Sequence, residues 1–152
     1  MAAHDLRVGD KAPDFSLKDQ DGRLVHLADF RGQASVVLIF YPGDMTPGCT
    51  VQLCAVRDDW GKFQDAGIAV FGINHAKAES HGEFVHKFSF PFPLLVDPAK
   101  HTSARYGAMR NLFTVKVIRR SVIGIDKQGI VRYIKRGMPK NADILKAMKS
   151  YA

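Results

Sequence analysis

Residues 35–59 read SVVLIFYPGDMTPGCTVQLCAVRDD, and this stretch holds both cysteines of the 152-residue chain. Val36 through Tyr41 is an unbroken apolar run of β-formers, too short for most helices. It reads as a strand buried on both faces. Pro42-Gly43-Asp44 makes a tight connection, and Thr46-Pro47-Gly48-Cys49 then reads as a helix start. The Thr46 hydroxyl is available as N-cap, Pro47 takes the first helical position, and Cys49 falls inside the first turn. Free backbone N–H groups and the positive end of the helix dipole converge there, an environment that favours thiolate over thiol. Only the thiolate is a nucleophile, so Cys49 is a candidate reactive sulfur.

Cys49, Leu53, Val56, Trp60 and Phe63 recur at helical spacing, which puts them on one face of a long helix and points Cys49 inward. Cys54 lies five residues on. An intact helix holds two such Cα atoms about 8–9 Å apart, whereas a disulfide needs less than about 7 Å. If the two cysteines pair at all, the first turns must unwind, and the stretch becomes a redox-driven local unfolding switch.

Upstream, Phe15-Ser16-Leu17 and Leu24 to Leu27 alternate apolar with polar around Asp19-Gln20-Asp21-Gly22, which predicts an N-terminal β-hairpin beside the core sheet. Downstream, Gly67 stops the helix and Ile68 to Ile73 forms a second apolar strand, giving a βαβ unit with parallel strands. A helix from about Ala76 to Ser89, a short strand at Leu94-Leu95-Val96 and a short helix near Thr102 to Tyr106 follow. Ser121 to Ile125 and Ile130 to Ile134 form a hairpin across Asp126-Lys127-Gln128-Gly129, and Asn141 caps a closing helix carrying Ile144, Leu145 and Met148. The expected fold is α/β and thioredoxin-like: a central mixed sheet flanked by helices, with the N-terminal hairpin as an extension, in a single domain over residues 1–152.

Composition bounds the class. Hydrophobic content of 46% with 24% charged residues is ordinary for a globular domain of this length. Met1 to Gly9 lacks an apolar leader core, and no run approaches the length of a membrane span, so the expected compartment is the cytoplasm. Two cysteines five apart fit neither a disulfide scaffold nor a paired Cys-x-x-Cys metal site, and in a reducing compartment they read as catalytic.

The run Pro42-Gly43-Asp44-Met45-Thr46-Pro47-Gly48-Cys49 resembles the active-site pattern of the peroxiredoxins. The continuation to Cys54, with Arg57-Asp58 beyond, is similar to the bacterioferritin comigratory protein or peroxiredoxin Q branch. Gly9 to Phe15, Phe92 to Asp97 and Arg120-Ser121 ahead of Asp126 to Gly129 extend the likeness over most of the chain from about residue 7. The resemblance implies a thiol peroxidase for hydrogen peroxide and small organic hydroperoxides. Cys49 would be the peroxidatic cysteine and Cys54 the resolving one. Thr46 would orient peroxide, Arg120 would stabilise the developing oxygen charge, and Pro42 would shield the thiolate. Recycling by thioredoxin or a similar dithiol would follow, and the expectation is no cofactor or metal, no nucleic-acid or membrane partner, and a monomer or weak homodimer. Departures fall at Gly43, Met45, Gln52 and Asn74-His75.

Competing readings stay beside these. Thr46 and Pro47 serve a helix start whatever the chemistry, and Arg119 competes with Arg120 because alternate strand residues face opposite sides. His75, His81 and His86 lack the spacing of ligands on one helical face. A thioredoxin-like disulfide oxidoreductase would want Cys-x-x-Cys at the helix start. The net charge of +7, with Arg119, Arg120, Arg132, Lys135 and Arg136 late in the chain, admits a redox-sensing module that binds nucleic acid, or a basic surface that draws an acidic redox partner.

Overall fold

The computed structural model describes residues 5–151, so the leader reading of Met1 to Gly9 lies outside the described residues at positions 1–4. A hairpin of β1 (Ser16–Lys18) and β2 (Leu24–His26) opens the chain, antiparallel as expected. Asp19 closes its turn by accepting the amides of Asp21 and Arg23. The apolar run becomes β3 (Ser35–Phe40), every residue of which is buried.

After the site loop come α1 (Pro47–Asp58), α2 (Trp60–Asp65), β4 (Ile68–Asn74), α3 (Ala78–Phe88), β5 (Leu94–Val96) and α4 (His101–Arg105). A hairpin of β6 (Met109–Leu112) and β7 (Val115–Ile118) follows, then β8 (Ser121–Ile125), β9 (Val131–Arg136) and α5 (Asn141–Lys149). The central sheet has five strands in the order β5-β4-β3-β8-β9. β3, β4 and β5 run parallel, while β8 pairs antiparallel with both β3 and β9.

Alternation along β3 divides the core. Val37 and Ile39, continued by Tyr41, pack with Cys49, Leu53, Val56, Phe63, Phe84, Ile144 and Met148. Val36, Leu38 and Phe40 pack with Phe15, Leu27, Tyr106 and Ile118 on the opposite face. A strand with apolar neighbours on both sides carries no polar positions, which is why it reads as a continuous run.

Three local expectations need correction. The helix over Cys49 to Phe63 is two helices, interrupted at Asp59, whose backbone leaves helical geometry at φ −101° and ψ 16°. Asn141 is not a cap: it is the first residue of α5, and its side-chain amide donates to the Ala55 carbonyl and to Asp59, tying α5 to the end of α1. The β6–β7 hairpin is an addition to the expected elements.

Candidate active site

Thr46 holds the cap position of α1 in extended backbone, and Pro47 is the first helical residue. The Thr46 hydroxyl does not cap, however; it donates to the Gly43 carbonyl at 3.1 Å and so closes the loop on itself. Cys49 sits two residues after Pro47 in the first turn with 0% of its surface exposed. Its sulfur therefore lies inside the first turn, where the unpaired amides of a helix start concentrate positive potential.

Arg120, in the short link between β7 and β8, reaches across to this turn. Its Nη2 lies 3.4 Å from Cys49 Sγ, and its Nη1 donates to Gln52 Oε1 at 2.7 Å. Gln52 stands one helical turn after Cys49, so a single helix both presents the sulfur and aims the guanidinium. Gly48 leaves room for the arginine contact, since a Cβ there would lie 3.2 Å from Arg120 Nη2. The competing Arg119 makes no hydrogen bond to the sulfur; it donates to the Gly107 carbonyl. Pro42 is exposed and shares a cavity wall with Arg120.

The loop carrying this site is anchored by Asp44. Its Oδ1 accepts from the Tyr41 hydroxyl at 2.6 Å and from Asn74 Nδ2 at 3.1 Å. Its Oδ2 accepts from the Ser80 hydroxyl at 2.7 Å and faces His81 Nδ1 at 2.7 Å. His81 turns its other nitrogen to the Leu95 carbonyl at 2.9 Å, so the imidazole serves the core. Burial pushes the Asp44 carboxyl up, but the bonds from His81, Tyr41 and Ser80 outweigh it and hold the group below the usual carboxylate range. Burial, then the charge of Asp44, pushes the Tyr41 phenol well above its ordinary value, so it stays a donor. Next to this anchor Met45 takes a left-handed backbone, φ 63°, which a non-glycine residue adopts only under constraint.

Cys54 is half-buried against the core, and both cysteines are free thiols. With α1 intact over Pro47–Asp58, the two sulfurs are not brought together. Of the residues read from sequence, Cys49, Arg120, Pro42 and Thr46 share one end of the sheet, and Cys54 stands apart. Gln52, Asp44 and His81 were not read as part of the site. Their signal was weak: Gln52 is a helical neighbour of a buried cysteine, and Asp44 looks like an ordinary turn residue.

Residues 8–134 match the profile of the AhpC/TSA family. The chloroplastic peroxiredoxin Q of Oryza sativa subsp. japonica is 46% identical over 126 residues, 83% of this chain and 57% of that protein. This chain thus covers little more than half the length of its rice relative. The chloroplastic peroxiredoxin Q of Sedum lineare is 43% identical over 126 residues, 83% of this chain and 67% of that one. The crystal structure of peroxidoxin BcpB from Mycobacterium tuberculosis aligns with a TM-score of 0.88 at 30% identity, over 97% of this chain and 99% of that one. A helix-opening cysteine under an arginine, on a fold and sequence shared at this level, shows that the chain belongs to the AhpC/TSA family, among its peroxiredoxin Q and bacterioferritin comigratory members.

Proposed function

We propose that the chain is a thiol peroxidase that reduces hydrogen peroxide and small organic hydroperoxides at Cys49. The observation that carries this reading is the Arg120 guanidinium 3.4 Å from a buried sulfur at a helix start. Cys49 attacks the terminal peroxide oxygen as thiolate, the O–O bond breaks, and the departing oxygen takes a proton to leave as water or alcohol. Arg120 stabilises the negative charge as it moves from sulfur to the leaving oxygen. Gln52 keeps the guanidinium in place, Pro42 walls the mouth, and the Thr46 hydroxyl, turned from Gly43, supplies a donor to the peroxide.

The sulfenic acid left on Cys49 is then attacked by Cys54, with loss of water and formation of a disulfide. This requires the first turns of α1 to open, since the folded helix keeps the sulfurs apart. A thioredoxin-type dithiol restores both thiols by exchange. The cytoplasm is the compartment proposed, and among the described residues no helix is long and apolar enough to cross a membrane.

Peroxide consumption by the purified chain with dithiothreitol tests the reading. Wild type turns over and Cys49→Ser does not; equal inactivity of the two overturns it. Mass spectrometry after one equivalent of peroxide finds the Cys49–Cys54 disulfide, whereas a sulfenic acid that never resolves removes Cys54 from the mechanism.

A further inference from the structure

The cavity lined by Arg120, the arginine that contacts Cys49, holds an unusual concentration of unpaired positive charge. Arg110 from β6, Arg119 and Arg120 from the β7–β8 link and Arg136 from the end of β9 line one open cavity of about 370 Å³ with Pro42 and Ile118. Among the described residues none of the four arginines is paired with a carboxylate. Arg120 is held by an amide and a sulfur, Gln52 and Cys49. Arg136 donates to the Tyr106 carbonyl and the Ser121 hydroxyl, and Arg119 to the Gly107 carbonyl. The Arg119 Nε is buried with no acceptor, and the side chain of Arg110, an exposed residue, makes no hydrogen bond with the described residues.

Burial, then the charge of Arg119, pushes the Arg136 guanidinium below its ordinary value, opposed by the smaller influence of Asp5. Guanidinium groups crowded in this way are normally neutralised, and a planar fork binds carboxylate with two parallel bonds. The cavity is of small-molecule size. Ile118 and Pro42 give it apolar wall for a carbon skeleton.

We propose that this mouth is an anion subsite and that, among organic hydroperoxides, it selects those bearing a carboxylate. Arg110 and Arg136 take the carboxylate while Arg120 stays with the peroxide and Cys49. The proposal rests on the peroxidase reading and deepens it. Chemistry at sulfur is unchanged: the thiolate supplies the electron pair, the O–O bond breaks, the sulfur keeps one oxygen, and the alkoxide takes a proton from water to leave as a hydroxy acid.

The test compares cumene hydroperoxide with its para-carboxylate, two substrates alike except for one charge. With dithiothreitol at low salt, kcat/KM for the carboxylate is about tenfold or more above that for the neutral peroxide, the worth of one charge-assisted hydrogen bond. That ratio falls toward one in Arg110→Gln, and also in wild type at about 0.5 M salt, where exposed charges are screened. Arg110 is the variant of choice because its side chain holds no other part of the described fold. Equal kcat/KM for the two peroxides in wild type overturns the subsite and leaves the peroxidase standing. A binding arm works without turnover: NMR titration of the arginine side chains with 4-(2-hydroxypropan-2-yl)benzoate saturates, while 2-phenylpropan-2-ol does not. Should neither peroxide be consumed, the peroxidase reading fails and this titration alone decides the subsite, with no saturation counting against it.

Discussion

Gly48 shows how finely the space around the sulfur is set. Its φ lies outside the left-handed region, so alanine fits the backbone, yet the added Cβ would sit 3.2 Å from Arg120 Nη2. Alanine is the better helix former by up to about 1 kcal/mol, so Gly48→Ala keeps or raises the melting temperature. The same methyl pushes the guanidinium off the sulfur. A displacement of that kind costs on the order of tenfold or more in the rate of peroxide reaction. Stopped-flow oxidation beside thermal melts checks the split; a faster reaction, or a fold that melts earlier, contradicts it. At this scale Cys49 was legible from its place at a helix start, whereas residue type alone left Arg120 level with Arg119 and only its motif position favoured it. Gln52 was not, since an amide on a helix face announces nothing until the arginine that bonds to it is in place.

Elements are held in register by groups that look incidental in the sequence, and Asp44 is the strongest case. It joins the site loop to the end of β4 through Asn74 and to α3 through Ser80 and His81. Its side chain is only 3% exposed, so the bonds are largely shielded from water. Because the folded carboxyl lies below its ordinary value, the stability it supplies is complete above the unfolded pKa of about 3.9. It drains away as pH falls through the lower folded value. Asp44→Asn puts an amide donor among donors and costs about 3 kcal/mol or more at neutral pH. It also flattens the acid limb of the stability curve, read from denaturant midpoints between neutral pH and about pH 3. An unaltered midpoint at pH 7 would refute this. The β6–β7 hairpin stayed hidden for a different reason. Leu112, Phe113 and Val115 are exposed, so burial imposes no alternation from which a strand could be read.

Across the whole molecule, the legible part of the fold is the part whose sequence is dictated by burial. β3, β4 and β8 lie inside the sheet, and their apolar runs gave the βαβ unit and the second hairpin. The break at Asp59 and the tie from Asn141 depend on contacts between segments more than 80 residues apart, as the Asn141–Asp59 bond shows. The sheet has little slack where it meets the site. A Cβ on Gly72 would lie 2.6 Å from Leu94 Cδ2 and 3.1 Å from Tyr41 Cε1. Gly72→Ala therefore lowers stability by about 1–3 kcal/mol, and it disturbs the tyrosine that Asp44 depends on; a melting temperature equal to wild type would speak against so tight a core. The Asn141 tie has a kinetic corollary. Because it grips α1 at Ala55 and Asp59, the melting that the proposed Cys49–Cys54 disulfide requires is confined to the turns ahead of it. Segments that short recoil within about a microsecond, while encounters at micromolar partner concentration take roughly a tenth of a second or longer. In the proposed cycle, re-forming the coil is therefore far faster than the arrival of a reductant, and the coil is not the bottleneck.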